Sequence, residues 1–379
     1  MSKTNIMHIR NSRKPQSKFT FLFDCKPVAY CSHYKYLGCN INEFLNFTFT
    51  VDKQAESAGR ALGDIIAKMI KNNGFPLKIF ALLYNACVVS IMDYSSGVTG
   101  FQKYQSALNI HLRAIRSFLG APKNACNPGV LSEIDLLLPQ FRTKLEMVRL
   151  YHRLLYMDND RLTRKIMLWD KKLNEDNIVQ SWTNDIKQIF IDCNLMEVFE
   201  SETGFNKKHI IETMRSCFLV QQRSLLQEEC LLKPKLRTFL MFKDFDVPPV
   251  YVGKPLSHQE RRILARTRLG CLPLRIETGR YCRPRLIEEE RTCLVCKSEQ
   301  LIQVEPNQNP IENETHFLFS CSAYSAERNQ WLSQMKLQEN FQQLPEADKL
   351  KTVLNEGSNL KATSQFILKA LNIRSTLLP

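Results

Sequence analysis

The sequence predicts a mainly α-helical chain that opens on a small antiparallel β-sheet and closes on a cysteine- and histidine-bearing module. Three observations predict it. Apolar residues recur at three- and four-residue spacing through most of residues 51–250. Alternation of period two is confined to residues 3–42. Two half-sites with the spacing of metal ligands lie beyond residue 290.

Within the β region, Lys18 to Asp24 alternates aromatic and polar positions and reads as a strand. Lys26-Pro27 reads as a turn, Val28 to Cys31 as a second short strand, and Tyr34 to Ile41 as a third with Gly38 at a bend. The first helix spans Val51 to Asn72, with Ala58, Ala61, Leu62, Ile65, Ile66, Met69 and Ile70 at helical spacing, and stops at Asn73-Gly74. Pro76 fits the first turn of the next, which carries Ile79, Leu82, Leu83 and Val88. A third covers Gln102 to Leu119 and ends at Gly120; its His111, Arg113 and Arg116 read as a solvated face. Further helices are expected over Pro139–Met157, Arg161–Leu173, Ile178–Cys193 and Lys207 to about Leu231. Breaks at Lys233-Pro234 and Asp246 to Val250 read as linkers. Ser257–Leu269, Glu327–Leu337, Glu346–Leu354 and Leu360–Leu371 complete the helical set.

Cys293-x2-Cys296 and His316-x4-Cys321 supply three thiolates and one imidazole, the complement of a closed tetrahedral zinc site. A Cys-x2-Cys pair presents both sulfurs from a tight turn, and His-x4-Cys delivers its ligands from about one helical turn. Four protein ligands leave no position open for water or substrate, so the single Zn2+ expected here is structural. The other cysteines lack paired spacing and read as core residues. Ahead of the first half-site runs an arginine-rich stretch. Arg261, Arg262, Arg266, Arg268, Arg275, Arg280, Arg283 and Arg285 stand against one acid, Glu277. Arginine in that density suits bidentate contact with phosphates or base edges, so these eight are the candidate nucleic-acid ligands. The competing reading is an ion-paired network with Glu288, Glu289 and Glu290.

Composition agrees. The 379 residues are 44% apolar, and Lys plus Arg exceed the acids by 14, which points to RNA or DNA as partner. No signal-peptide core and no apolar run of membrane-spanning length occur, so membrane partnership and secretion are not expected. Unpaired cysteines then indicate the cytoplasm or nucleus, and Asn46-Phe-Thr and Asn313-Glu-Thr are chance sequons. No Gly-rich phosphate loop, His-Glu-x-x-His or Gly-x-Ser-x-Gly is present. Asp158/Asp160 and Asp244/Asp246 fall in connectors, the strands contain only Asp24, and His8 and His33 read as surface or capping residues. An enzyme is therefore not expected.

Arg266-x-Arg268-Leu-Gly-Cys-Leu-Pro-Leu-Arg275-Ile-Glu-Thr-Gly-Arg280-Tyr, followed by Cys293-x2-Cys296 and Glu314-Thr-His316-Phe-Leu-Phe-x-Cys321-x-x-Tyr324, resembles the C-terminal module of non-LTR (LINE-type) retrotransposon reverse transcriptases. Lys3 to Met7 resembles that family's lysine motif, and Tyr34 to Gly38 its primer-grip hairpin. Ile91 to Gly97 and Ile115 to Pro122 resemble the thumb and its exit. Glu133-Ile-Asp departs from the usual Glu-Leu-Gly. The resemblance implies a palm remnant over 1–50, a helical thumb-like domain over 51–160 and a helical linker domain over 161–255. An arginine-rich CCHC zinc-binding module over 256–335 and a helical tail over 336–379 follow. The family's paired catalytic aspartates precede the lysine motif, so Lys3, by resemblance a proton donor to pyrophosphate, has no active site to serve here. The expected function is a non-catalytic reverse-transcriptase remnant that binds RNA or DNA through a basic surface and a zinc knuckle. Two alternatives stand beside it: the C-terminal portion of an active RNA-directed DNA polymerase, and a host-adopted, zinc-dependent protein-interaction scaffold.

Overall fold

The computed structural model describes residues 4–175, 181–201, 205–299, 310–335, 337 and 340–378. The chain is mainly helical with a small antiparallel β element at its N-terminal end. Lys3 and residues 300–309, between the two half-sites, lie outside the described residues.

The β element is two separate hairpins, not one three-stranded sheet. Leu22–Phe23 pairs with Lys26–Pro27, and His33–Tyr36 with Cys39–Asn42 in the register Tyr36↔Cys39. Lys26-Pro27 is thus a strand, and the turn sits one step earlier at Asp24 and Cys25, whose φ angles are 52° and 56°. Tyr34 to Ile41 folds back on itself at Leu37 and Gly38, where φ is 46° and 86°. Two consecutive positive φ values make a two-residue turn that matches strand twist, which is why a glycine sits there.

The helices follow the apolar periodicity closely. They include Thr48–Lys71, Leu77–Tyr84, Gln105–Leu119, Pro139–Leu155, Leu162–Glu175, Trp182–Asp192 and Lys207–Leu231. Asn73 and Gly74 take φ of 54° and 107° beyond the first, and Gly120 takes 68° beyond the third. Such left-handed C-caps satisfy orphan carbonyls, as in the bond from Gly74 N to Met69 O at 2.8 Å. No helix among the described residues is long and apolar enough to cross a membrane.

Two compact units emerge, each built from separated segments. The first gathers Met1–Gly63, Asn85–His111 and Leu137–Phe218. Its core holds Tyr151, Ile186, Phe190 and Phe199, with Tyr151 stacked on Phe199 at 5.5 Å between centroids. Asp93 takes the Arg142 guanidinium through both oxygens, one of them at 2.9 Å. His111 does not belong to a solvated face: it is fully buried, because its helix turns that side toward the interior. The second unit gathers Asp64–Tyr84, Leu112–Leu136 and Leu219–Pro379. Phe80 meets Phe118 at 4.7 Å, and Phe239, Tyr251, Leu264 and Ile367 are buried with them. The break at Lys233-Pro234 is not an exposed linker. Pro234–Leu236 forms a short turn, leads into the helix Arg237–Phe242, and buries both Lys235 and Leu236.

The reading of the remaining cysteines as core holds for Cys193, Cys230 and Cys271, which are buried. Cys25 and Cys87 are exposed, and Cys31, Cys39, Cys126, Cys217 and Cys282 are half-buried. Their positions on hairpins and helix flanks expose them.

Candidate metal centre and the arginines beside it

Cys293, Cys296, His316 and Cys321 converge in the second unit, all buried, with their ligand atoms within 4.8 Å of one another. Local backbone explains how. Thr292 bridges Ile311 antiparallel, and Cys293 N donates to Pro310 O at 2.8 Å, so the two half-sites are tied before any ion is considered. Cys296 then rides on the short helix Leu294–Glu299. His316–Ser320 is a π-helical turn, not the α turn expected: Cys321 N donates to His316 O at 2.8 Å, an i to i+5 bond. The wider turn brings His316 and Cys321, five residues apart, over one another, and such turns recur at functional sites.

The donor set fits zinc. Bonds of about 2.3 Å to sulfur and about 2.0 Å to nitrogen in a tetrahedron imply edges of about 3.8 Å (S···S) and about 3.5 Å (S···N). Three of the six edges are 4.0 Å for Cys293 Sγ–Cys321 Sγ, 3.6 Å for Cys296 Sγ–Cys321 Sγ and 3.4 Å for Cys296 Sγ–His316 Nε2, and all lie within 4.8 Å. Electrostatics lead the same way. A hydrogen bond from Cys321 holds the Cys293 thiol well below its usual value. Cys321 is driven up by that bond and by burial, and Cys296 by burial and the Cys293 charge. Three thiolates packed this closely would repel one another, and a cation among them relieves that repulsion. Three thiolates, an imidazole and a divalent ion sum to one negative charge. Arg328, itself buried, stands by: it donates to Leu318 O at 2.8 Å and to Cys321 O at 2.7 Å.

Buried charge pairs clamp the module. Glu312, 1% exposed, accepts from Arg374 at 2.7 and 2.9 Å and from Arg275 N at 2.7 Å. Glu314 accepts from Arg237 at 3.1 Å and Thr238 at 2.8 Å. Arg291 donates to Ile276 O and twice to Leu286 O. Sequence reasoning passed over Arg291, Glu312, Arg328 and Arg374; Arg291 and Glu312 each lie two residues ahead of a motif, and Arg374 lies far from both.

The eight arginines separate into three environments. Arg261 and Arg268 are each 1% exposed, which corrects their assignment to a phosphate-facing surface. Arg268 makes a bidentate pair with Glu133 at 2.7 and 2.9 Å and also donates to Leu354 O and Asn355. Its guanidinium lies over Phe242 and Tyr251, 4.8 and 5.0 Å from the ring centroids. Arg261 lies over Phe118 at 4.3 Å and donates to Leu256 O. Both sit on the inward face of His258–Arg268, a helix opened by a Ser257–Glu260 capping box. Arg266, Arg275 and Arg280 are half-buried; Arg275 bonds Cys282 Sγ and Arg280 pairs with Glu277 at 3.4 Å. Arg262, Arg283 and Arg285 are exposed, and among the described residues no carboxylate lies within ion-pairing distance of them. The network with Glu288–Glu290 does not form around them either: Glu288 lies 3.9 Å from Arg237 and Glu290 accepts from Ile287 N. One turn along from Arg262, Arg266 has its pKa lowered by burial and then by the Arg262 charge.

Comparison with protein-family models, curated proteins and solved structures gives no match.

Proposed function

We propose that the chain grips RNA or DNA as the C-terminal part of a non-LTR retrotransposon reverse transcriptase, contributing hold and not chemistry. One observation carries the reading. Four zinc-type donors converge within 4.8 Å of one another directly after a chain segment whose Arg283 and Arg285 stand exposed without acidic partners. A closed Cys3His site does structural work. Held at Cys293, Cys296, His316 and Cys321, zinc supplies a fixed cross-link that orders the flanking segment. Arginines so displayed are weakly hydrated, planar and fork-shaped, the form that pairs with phosphate oxygens. Arg262 and Arg266 add a second site of adjacent like charge, which an anion relieves.

The reading is tested by titrating the full chain against fluorescent RNA and DNA at rising salt. Phosphate contacts make the logarithm of affinity fall against the logarithm of salt, by about 0.9 per contact on duplex and about 0.7 on a single strand. The Arg283→Ala/Arg285→Ala variant is expected to flatten that slope by about one to two and to leave the melting temperature unchanged. Absence of binding to any polynucleotide at low salt overturns the reading.

A further inference from the structure

We propose that the segment Arg280–Ile287 is a grip for one unpaired nucleic-acid strand, with Tyr281 as the platform on which a base stacks. The inference rests on the nucleic-acid reading above and deepens it. Tyr281 is 65% exposed, yet its position is fixed. Its hydroxyl donates to Glu277 Oε1 at 3.3 Å, and Glu277 is buried, held in turn by Lys235, by Asn124 at 3.4 Å and by Arg280 at 3.4 Å. The ring is thus tied by its edge to the interior while it stands in solvent. Backbone geometry tightens this. Gly279–Tyr281 forms a 3-10 turn, and Leu286 N donates to Gly279 O at 3.2 Å, closing the loop that carries Arg283 and Arg285. Arg291 pins the far end through Leu286 O at 2.8 Å. Ile287, at the end of the segment, is 60% exposed.

A tethered aromatic ring followed by unpaired arginines suits a strand whose bases are splayed and whose phosphates lie alongside. In a duplex the base faces are stacked on one another, and only edges and backbone reach a protein. A stacking platform therefore rewards single strands, while the arginines serve both forms. Because every base has a flat face, the platform predicts strand-state selectivity without sequence selectivity.

The test uses the full chain, zinc-loaded, and fluorescence anisotropy with three probes of equal length: an oligonucleotide, its blunt duplex, and a strand carrying abasic sites. Tyr281→Ala is expected to weaken single-strand binding about 5- to 100-fold, the range for loss of one stacked base, and to leave duplex binding within about twofold. On the abasic strand wild type and Tyr281→Ala are expected to bind alike, and Tyr281→Phe retains most of the single-strand affinity. Unchanged melting temperatures exclude unfolding as the cause. If Tyr281→Ala weakens single strand, duplex and abasic strand equally, or none of them, while wild type binds, the platform is overturned and the general grip stands. If wild type binds no probe, the underlying nucleic-acid reading fails with it. RNA and DNA versions of each probe decide which strand the loop takes.

Discussion

Replacing Arg268 with methionine removes one member of an ion pair that is closed to solvent on both sides, with Arg268 1% and Glu133 0% exposed. Burial alone would push the Glu133 carboxyl up; the Arg268 charge and its hydrogen bonds outweigh that and hold it below the usual carboxylate range. Without Arg268 the carboxylate is left uncompensated, which costs about 3–5 kcal/mol. For a unit of this size each kcal/mol moves the melting temperature by about 2–4 °C, so the variant is expected to melt roughly 6–20 °C lower. Replacing both partners, Arg268→Met with Glu133→Leu, removes the stranded charge and is expected to recover most of the loss. Thermal and urea unfolding followed by circular dichroism measure all four corners of the cycle. Because the folded pKa of Glu133 is depressed, the pair's contribution is present above the unfolded carboxylate value and fades as pH falls through the folded one. A loss below about 1 kcal/mol for the single variant, or a double variant that merely sums the singles, refutes a structural role for Arg268.

Two further outcomes are expected. His111 is fully buried, and burial followed by the Arg142 charge lowers its pKa from 6.5 to about 3. The unfolded chain then takes up a proton that the folded chain refuses, so stability falls as pH drops below about 6.5, by about 2 kcal/mol at pH 5. His111→Gln should abolish that part of the pH dependence in urea titrations, and an unaltered slope counts against it. Gly120→Ala places a methyl group 2.6 Å from Arg262 Cβ at a φ of 68°. A loss of more than about 1 kcal/mol is expected from the left-handed strain alone, checked by the shift in urea midpoint.

Much of this could be seen in the chain because it is local. Helical periodicity located Lys207–Leu231, and glycines at 74 and 120 marked helix ends, since each depends on neighbours a turn away. The four donors followed from spacing for the same reason, although the π turn between His316 and Cys321 did not, as spacing fixes ligand count better than backbone pitch. The arginines were misread or passed over where their partners are remote. Glu133 lies 135 residues from the misread Arg268, and Glu312 lies 62 from Arg374, which drew no reading. Neither pairing leaves a mark in the local pattern, and a basic run looks alike whether half of it faces inward or all of it faces solvent. His111 was misplaced similarly: a polar residue on an amphipathic helix reads as solvated until a second helix packs over it. The two β-hairpins went unresolved because a β-turn can be as short as the strands around it.

The most direct measurement is the zinc-to-protein ratio of the full chain purified under reducing conditions, compared with its Cys293→Ser variant. One zinc per chain, lost in the variant together with cooperative unfolding beyond about residue 285, is the predicted result. A wild-type chain that carries no zinc, or a variant that keeps its full share, contradicts it.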